Sequence, residues 1–196
     1  MRALTSILLV VAGCGATGSN REEALRVEIE GLVAQERVQE ALALADRAIE
    51  VDPDRAFGWR ERTRCLVLLW EFDAALLAVD RAVELEPGDP WSHYERGYLL
   101  RQVGRDDEAV AAFTRAIELD PRHYKAYEHR GGAHLDWGRS PEALADLTRA
   151  IECWRPHDPE VREAYSLRAR ALMSLGRTDE ALADVEHAET LRSGVR

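Results

Sequence analysis

The sequence predicts an all-α fold, a right-handed α-solenoid of about five helix-turn-helix repeats. Two alanine columns seven residues apart, and turn residues at fixed offsets from them, carry this prediction. The first column recurs every 34 residues and then once after 38, at Ala41, Ala75, Ala109, Ala143 and Ala181. The second follows it at Ala48, Ala82, Ala116, Ala150 and Ala188. Seven residues are about two helical turns, so both columns lie on one face, where a neighbouring helix comes close.

Each repeat is predicted to open with a helix that carries a bulky residue near its start and a small residue one turn later. The bulky residues are Trp59, His93, Tyr127 and Tyr165. The small residues are Thr63, Gly97, Gly131 and Ala169. Residues four positions apart share one side of a helix, so this first helix presents one packed face.

The turn and the end of the second helix are marked by glycine and proline. A glycine ends a helix at little steric cost, and it stands in the turn at Gly104, Gly138 and Gly176. Proline disfavours helical continuation, and it follows an acidic residue at Asp52-Pro53, Glu86-Pro87 and Asp120-Pro121. In the fourth repeat, Ser140 and Pro141 are predicted to be the helix cap and the first helical position.

The repeats depart from the common pattern in three places. The first repeat has Ile29 at the small position and lacks the turn glycine, the second has Trp70-Glu71 in the turn, and residues 155–159 lengthen the fourth linker by four. The predicted boundaries are approximately 22–55, 56–89, 90–123, 124–157 and 162–192, with a tail at 193–196.

These residues resemble tetratricopeptide repeats, most clearly between Trp91 and Pro121, where glycine, alanine, phenylalanine, alanine and proline follow in the family's order. The resemblance covers residues 22–192. It implies that the first helices line a concave groove and that the chain binds another protein.

The resemblance also implies which side chains face that groove. Arg60 and Arg64, one helical turn apart, predict a basic strip that binds an extended or helical, partly acidic segment of a partner. The alternative is that these are ordinary solvated side chains without a dedicated ligand. The predicted groove residues are Phe57, Arg60, Arg64, Trp91, Tyr94, Tyr98, Arg101, Lys125 and Arg170, flanked by Glu128 and Ser166.

An arginine recurs in the first helices where many such repeats place leucine. We interpret it as structural, with its stem packed between helices and its guanidinium on a carboxylate, for which Asp146 and Asp184 are the candidates in repeats four and five. The column consists of Arg62, Arg96, Arg130 and Arg168.

The N-terminus resembles a bacterial lipoprotein signal peptide. A basic start precedes an apolar run at residues 4–12, too short to span a bilayer, and Val11-Ala12-Gly13-Cys14 resembles a lipobox. The resemblance implies removal of residues 1–13, lipidation of Cys14 and a flexible tether at 14–21. The alternative is a fortuitous apolar start on a cytosolic protein.

Composition argues against several other functions. A formal charge of −10, without a basic run, disfavours nucleic-acid binding. The cysteines and histidines have no metal-ligand spacing, and no phosphate-binding loop or nucleophile motif occurs. We expect Cys65 and Cys153 to be small buried residues. We therefore expect no enzyme activity, cofactor or metal.

Two classes of function remain. The first is a lipid-anchored scaffold or assembly factor of the bacterial cell envelope, on the periplasmic face of the outer membrane where two membranes exist. The second is a soluble cytoplasmic adaptor or co-chaperone. A regulatory subunit or fragment of a larger enzyme is a further alternative.

Overall fold

The computed structural model describes residues 18–154 and 161–193, and ten α-helices make up the regular structure of those ranges. They are α1 (Gly18–Ala34), α2 (Val38–Val51), α3 (Ala56–Leu68), α4 (Phe72–Leu85), α5 (Pro90–Gln102), α6 (Asp106–Leu119), α7 (Tyr124–Asp136), α8 (Ser140–Cys153), α9 (Arg162–Ser174) and α10 (Thr178–Ser193). They follow one another as five helix-turn-helix pairs. The all-α fold class and the repeat number are thereby confirmed.

The chain divides into two compact units at the boundary between Glu86 and Pro87. The first unit contains α1 to α4, in which each helix packs on the next. Its core cluster joins α1, α2 and the first helix of the second pair, and consists of Ile29, Leu32, Ala41, Leu44, Ala45 and Cys65. Cys65 is fully buried, as the sequence predicted, whereas Cys153 at the end of α8 is only half-buried.

The second unit contains α5 to α10, in which α5 pairs with α6, α7 with α8 and α9 with α10. Successive pairs are joined because α6 packs on α7, and α8 on α9. The largest buried side chains of this unit include Phe113 and Leu147, each on the second helix of its pair. Tyr127 and Trp154 form a further cluster with Val161.

Small residues stand where the helices come closest. The first alanine column is buried throughout, and so is the second apart from the half-buried Ala48. A methyl group added to Gly97 would lie 2.6 Å from Phe113 Cε1 and 3.1 Å from the Ala109 carbonyl oxygen. The repeated small residues are therefore a steric requirement of helix pairing.

The turns inside the pairs share one backbone conformation, with a positive φ at one residue. Glycine provides it three times, at φ +76°, +69° and +75°. Glu36 and Trp70 adopt it in the first two pairs, at φ 60° and 63°, at a cost on the order of 1 kcal/mol each. A missing glycine therefore changes the cost of the turn and leaves its geometry intact.

The helix ends agree with the proline signals, since α2, α4 and α6 each end immediately before an acidic residue and its proline.

Two boundaries differ from the prediction. Helix α8 begins at Ser140 and its N-cap is Arg139, so Ser140 does not cap it; its Oγ accepts a hydrogen bond from Ser174 Oγ at 2.6 Å. Helix α1 begins at Gly18, so residues 18–21 are helical, not tether.

Three arginines of the column pair with carboxylates on an adjacent helix. Arg130 donates from Nε and Nη2 to Asp146 at 2.8 and 2.7 Å, and Arg168 binds Asp184 through the same two atoms at 2.7 Å each. Both predicted partners are confirmed. In the first unit, Arg62 contacts Asp46 of the preceding helix at 3.1 Å.

Candidate functional site

Trp91 is the most exposed aromatic side chain among the predicted groove residues. It stands in the first turn of α5, which Asp89 caps by accepting hydrogen bonds from the Trp91 and Ser92 amides. Its ring lies edge-on to Tyr94 and 4.5 Å from the ring of His123, yet 48% of the residue remains accessible. The tryptophan is thus an exposed ring held by two neighbouring rings.

Tyr94 is half-buried and lies against Trp91. Its hydroxyl is 3.3 Å from His129 Nε2, and its ring contacts Phe113 of α6. Burial raises the pKa of the Tyr94 phenol well above its usual range, so the phenol stays protonated. Tyr94 supports Trp91 from below.

Two histidines that sequence reasoning did not place in the site complete the support. His123 is 3% exposed, and its Nδ1 accepts a hydrogen bond from the Ala126 amide at the start of α7. Burial lowers the pKa of His123, and the pKa of His129 falls to about 4 for the same reason. Both rings are therefore neutral at pH 7. No metal-ligand or catalytic spacing marks them, so only packing reveals their role.

The remaining predicted groove residues of the second unit differ in their exposure and in their contacts. Arg101 donates to Asp136 at 2.6 Å and lies over Gly132, whose added Cβ would be 3.4 Å from Arg101 Nη1. Tyr98 is half-buried with its ring against His129, and Lys125 is half-buried too. Arg170 on α9 is exposed. Of the predicted groove residues on the first helices of this unit, the structure thus exposes one aromatic side chain, Trp91, and one arginine, Arg170.

The predicted face of the first unit differs from expectation at Phe57. That residue is 4% exposed and lies beneath Arg26, whose guanidinium carbon is 5.8 Å from the ring centroid. Phe57 was predicted as an exposed groove residue because the family resemblance implies which face of the first helices lines the groove. The α1 side chain that covers it has no separate sequence signal.

The two arginines of the predicted basic strip are paired within the chain. Arg60 Nη1 contacts Glu86, and Arg64 Nη1 lies 3.0 Å from Glu61 and 3.7 Å from Glu30. Glu61 is 4% exposed, and burial raises its pKa although Arg64 and Arg26 lower it. The strip is therefore an ion-paired surface, and an incoming carboxylate competes with these acids.

The described residues supply little for other chemistry. Within residues 18–154 and 161–193, no group of three or more histidine, cysteine or acidic side chains has metal-binding geometry, and no helix has both the length and the apolarity to cross a bilayer. Cys14, predicted to carry the lipid, lies outside the described residues.

Comparisons with known proteins agree with this geometry. The family model described as Tetratricopeptide repeat matches residues 28–90, 94–158 and 138–194. A search of the curated proteins finds no significant match.

Solved structures share the fold at low sequence identity. MamA from Desulfovibrio magneticus RS-1 is 14% identical with a TM-score of 0.74, and the alignment covers 92% of this chain and 99% of that one. YrrB, described as a TPR protein with an unusual peptide-binding site, is 20% identical with a TM-score of 0.66 over 89% of each chain. TTC0263, a thermophilic TPR protein from Thermus thermophilus, is 24% identical with a TM-score of 0.66, over 85% of this chain and 89% of that one.

The lowered pKa values of His123 and His129 predict a loss of stability in mild acid. The pKa of His129 is lowered from 6.5 to about 4 on folding, so its contribution is complete above about pH 6.5 and declines as the pH falls towards 4. We expect the free energy of unfolding in urea to fall by about 1 to 2 kcal/mol between pH 7.5 and pH 5 on account of this residue. His129→Gln should flatten that dependence, whereas His187→Gln, at an exposed position, should leave it unchanged. Parallel pH profiles for all three proteins would contradict the assignment.

Proposed function

The chain belongs to the tetratricopeptide repeat family, and from that premise we propose that it is a lipid-anchored scaffold of the bacterial cell envelope. Scaffolding between proteins is the general role of this family. The proposal adds that a partner's segment binds the first helices of the repeats and that Cys14 holds the protein at a membrane. The partner segment is extended or helical and partly acidic.

The exposed half of Trp91 is the observation that supports the binding surface best. Tryptophan is enriched among the residues that dominate binding energy, because it buries a large area with few rotatable bonds. The contacts with Tyr94 and His123 restrict its ring before a partner arrives, which reduces the entropy lost on binding. An apolar or aromatic side chain of the partner fits this position.

The acidic character of the partner segment is supported by exposed arginines. Arg170 is exposed on the second unit, and Arg64 on the first unit is 43% exposed in its pair with Glu30. Ion pairs between exposed side chains contribute about 0–1 kcal/mol, so a partner carboxylate replaces an internal one at little cost. The peptide-binding site reported for the structurally similar YrrB supports a peptide as the class of ligand.

The membrane anchor is supported by the sequence alone. The basic start, the apolar run and Val11-Ala12-Gly13-Cys14 follow one another in the order of a lipoprotein signal. The competing function is a soluble cytoplasmic adaptor that uses the same surface without lipidation.

The docking surface is tested by photo-crosslinking in cells with p-benzoylphenylalanine at position 91 and, as a control, at position 70. Trp70 is 78% exposed but stands in the turn between α3 and α4, so both probes are accessible. A specific crosslinked species is expected from position 91 alone. Once that species is identified, Trp91→Ala should weaken its binding at least tenfold and Trp70→Ala less than twofold. Equal crosslinking at both positions, or none at 91, would show that this surface does not dock the partner.

The anchor is tested separately by inhibiting lipoprotein signal peptidase in the native host. We expect an unprocessed form of lower electrophoretic mobility to accumulate, and Cys14→Ser to abolish the mobility shift. Cys153→Ser, which removes a cysteine from the end of α8, is the matched control and should retain it. If the wild-type protein shows no mobility shift when the peptidase is inhibited, the result would favour the cytoplasmic adaptor.

A further inference from the structure

An open pocket of about 610 Å³ lies between the fourth and fifth repeats, inside the second unit. Its volume is within the range of ligand-binding clefts. The half-buried Leu144 provides apolar surface beside Leu172, which is 3% exposed, and arginines and carboxylates stand around them. The remaining lining residues are Pro141, Ala145, Thr148, Arg149, Arg168, Arg177, Glu180 and Asp184. None of these is a predicted groove residue.

The preceding joint of the same unit provides an internal comparison. Between the third and fourth repeats, Arg130 binds Asp146 through two atoms, and its Nη1 donates to Thr114 Oγ1 at 2.9 Å. Thr114 belongs to α6 and Arg130 to α7, so this hydrogen bond ties one repeat to the next. The guanidinium carbon also lies 5.8 Å from the ring centroid of Tyr127.

The joint between the fourth and fifth repeats contains the same residue types with a different bonding pattern. Arg168 binds Asp184 through Nε and Nη2, and its guanidinium carbon lies 5.4 Å from the ring centroid of Tyr165. Thr148 stands 34 residues after Thr114, at the equivalent position. Among residues 18–154 and 161–193, however, no hydrogen bond connects Arg168 Nη1 to Thr148. Both residues line the pocket instead.

Two sequence differences accompany the missing bond. Ala143 and Ala181 are 38 residues apart rather than 34, and Leu172 stands where the fourth repeat has His134. The leucine supplies apolar surface at the position where His134 Nε2 lies 3.8 Å from Asp146. The joint between the fourth and fifth repeats therefore lacks the hydrogen bond that connects the third repeat to the fourth, and it has a leucine where the preceding joint has a histidine.

Three arginines and two carboxylates line the pocket, and this excess of one positive charge favours a negatively charged ligand. A guanidinium has five N–H donors, and Asp184 occupies only the donors of Arg168 Nε and Nη2. Arg149 and Arg177 are about half exposed and pair with Glu152 and Glu180, each at 2.6 Å. Such exposed pairs exchange at little cost.

We propose that this pocket is a second docking site, which binds a peptide segment of a partner protein that carries a carboxylate beside an apolar side chain. The carboxylate accepts hydrogen bonds from Arg168 Nη1 and from the Thr148 hydroxyl. It thus accepts from Arg168 the kind of hydrogen bond that Thr114 accepts from Arg130 in the preceding joint. The neighbouring apolar side chain packs mainly on Leu144 and Ala145. Arg149 at the rim contributes a second positive charge.

The probe for this site is the peptide acetyl-Leu-Asp-Leu-Glu-amide, titrated to 5 mM into the ¹⁵N-labelled protein and followed by NMR. We expect saturable shifts of the Thr148 and Leu172 amides and of the Arg168 Nε–H. The uncharged analogue acetyl-Leu-Asn-Leu-Gln-amide should bind at least tenfold more weakly. Equal binding of the two peptides, or no shift at these groups, would overturn the proposal.

A matched pair of charge reversals separates the pocket from general electrostatics. Arg149→Glu places a negative charge at the pocket, and Arg115→Glu makes the same change at the equivalent position of the preceding joint. The two wild-type side chains are each 50% exposed and each pairs with a glutamate three residues later. We expect at least a tenfold loss of affinity from the first change and less than twofold from the second; equal losses would contradict a local site.

A second pair tests the cavity without a change of charge. Ala145→Trp should fill the pocket and abolish the shifts, whereas Ala111→Trp, at the equivalent exposed position of α6, should not. Dispersed NMR spectra of all variants confirm that they remain folded. Retained binding by Ala145→Trp would contradict the pocket as the site.

Discussion

Close approach between helices at small side chains is the constraint on which this structure depends. The first alanine column is buried in every repeat, and a methyl group on Gly97 or Gly131 would lie within 2.8 Å of a side-chain carbon on the paired helix. Because atoms that close must shift, the sequence has little freedom at these positions. The freedom lies on the outward faces, where the residues at the positions of Trp91 and Arg170 differ from repeat to repeat.

Buried ion pairs restrict how neighbouring helices meet in this packing. Asp146 and Asp184 are 7% and 5% exposed, and each receives two hydrogen bonds from one arginine of the column. A buried pair contributes little net stability relative to apolar residues, but loss of one partner leaves a buried charge. The pairs therefore specify how one helix meets the next. Where the additional bond to threonine is absent, the joint presents a pocket.

The sequence predicted the repeats well because their signals are local and periodic. The helix pairs, the buried alanines and the carboxylate partners of Arg130 and Arg168 all follow from spacing. Depth of burial does not, because it depends on a neighbouring helix: Arg26 covers Phe57, and His123 and His129 enclose Tyr94. The ion pairs of Arg60 and Arg64 were equally inaccessible, since the 36 acidic residues of the chain offer too many partners.

The central claim is that close packing of paired helices at small residues holds the binding surfaces of this protein in place. Gly97→Ala tests this claim most directly, and Gly31→Ala is its control. Both glycines lie within helices, but an added Cβ meets nothing within 4 Å at Gly31 and lies 2.6 Å from Phe113 Cε1 at Gly97. From urea denaturation we expect Gly97→Ala to lower the free energy of unfolding by about 1 to 3 kcal/mol, and Gly31→Ala to raise it by up to about 1 kcal/mol through helix propensity. A stabilising effect of both substitutions would contradict the claim.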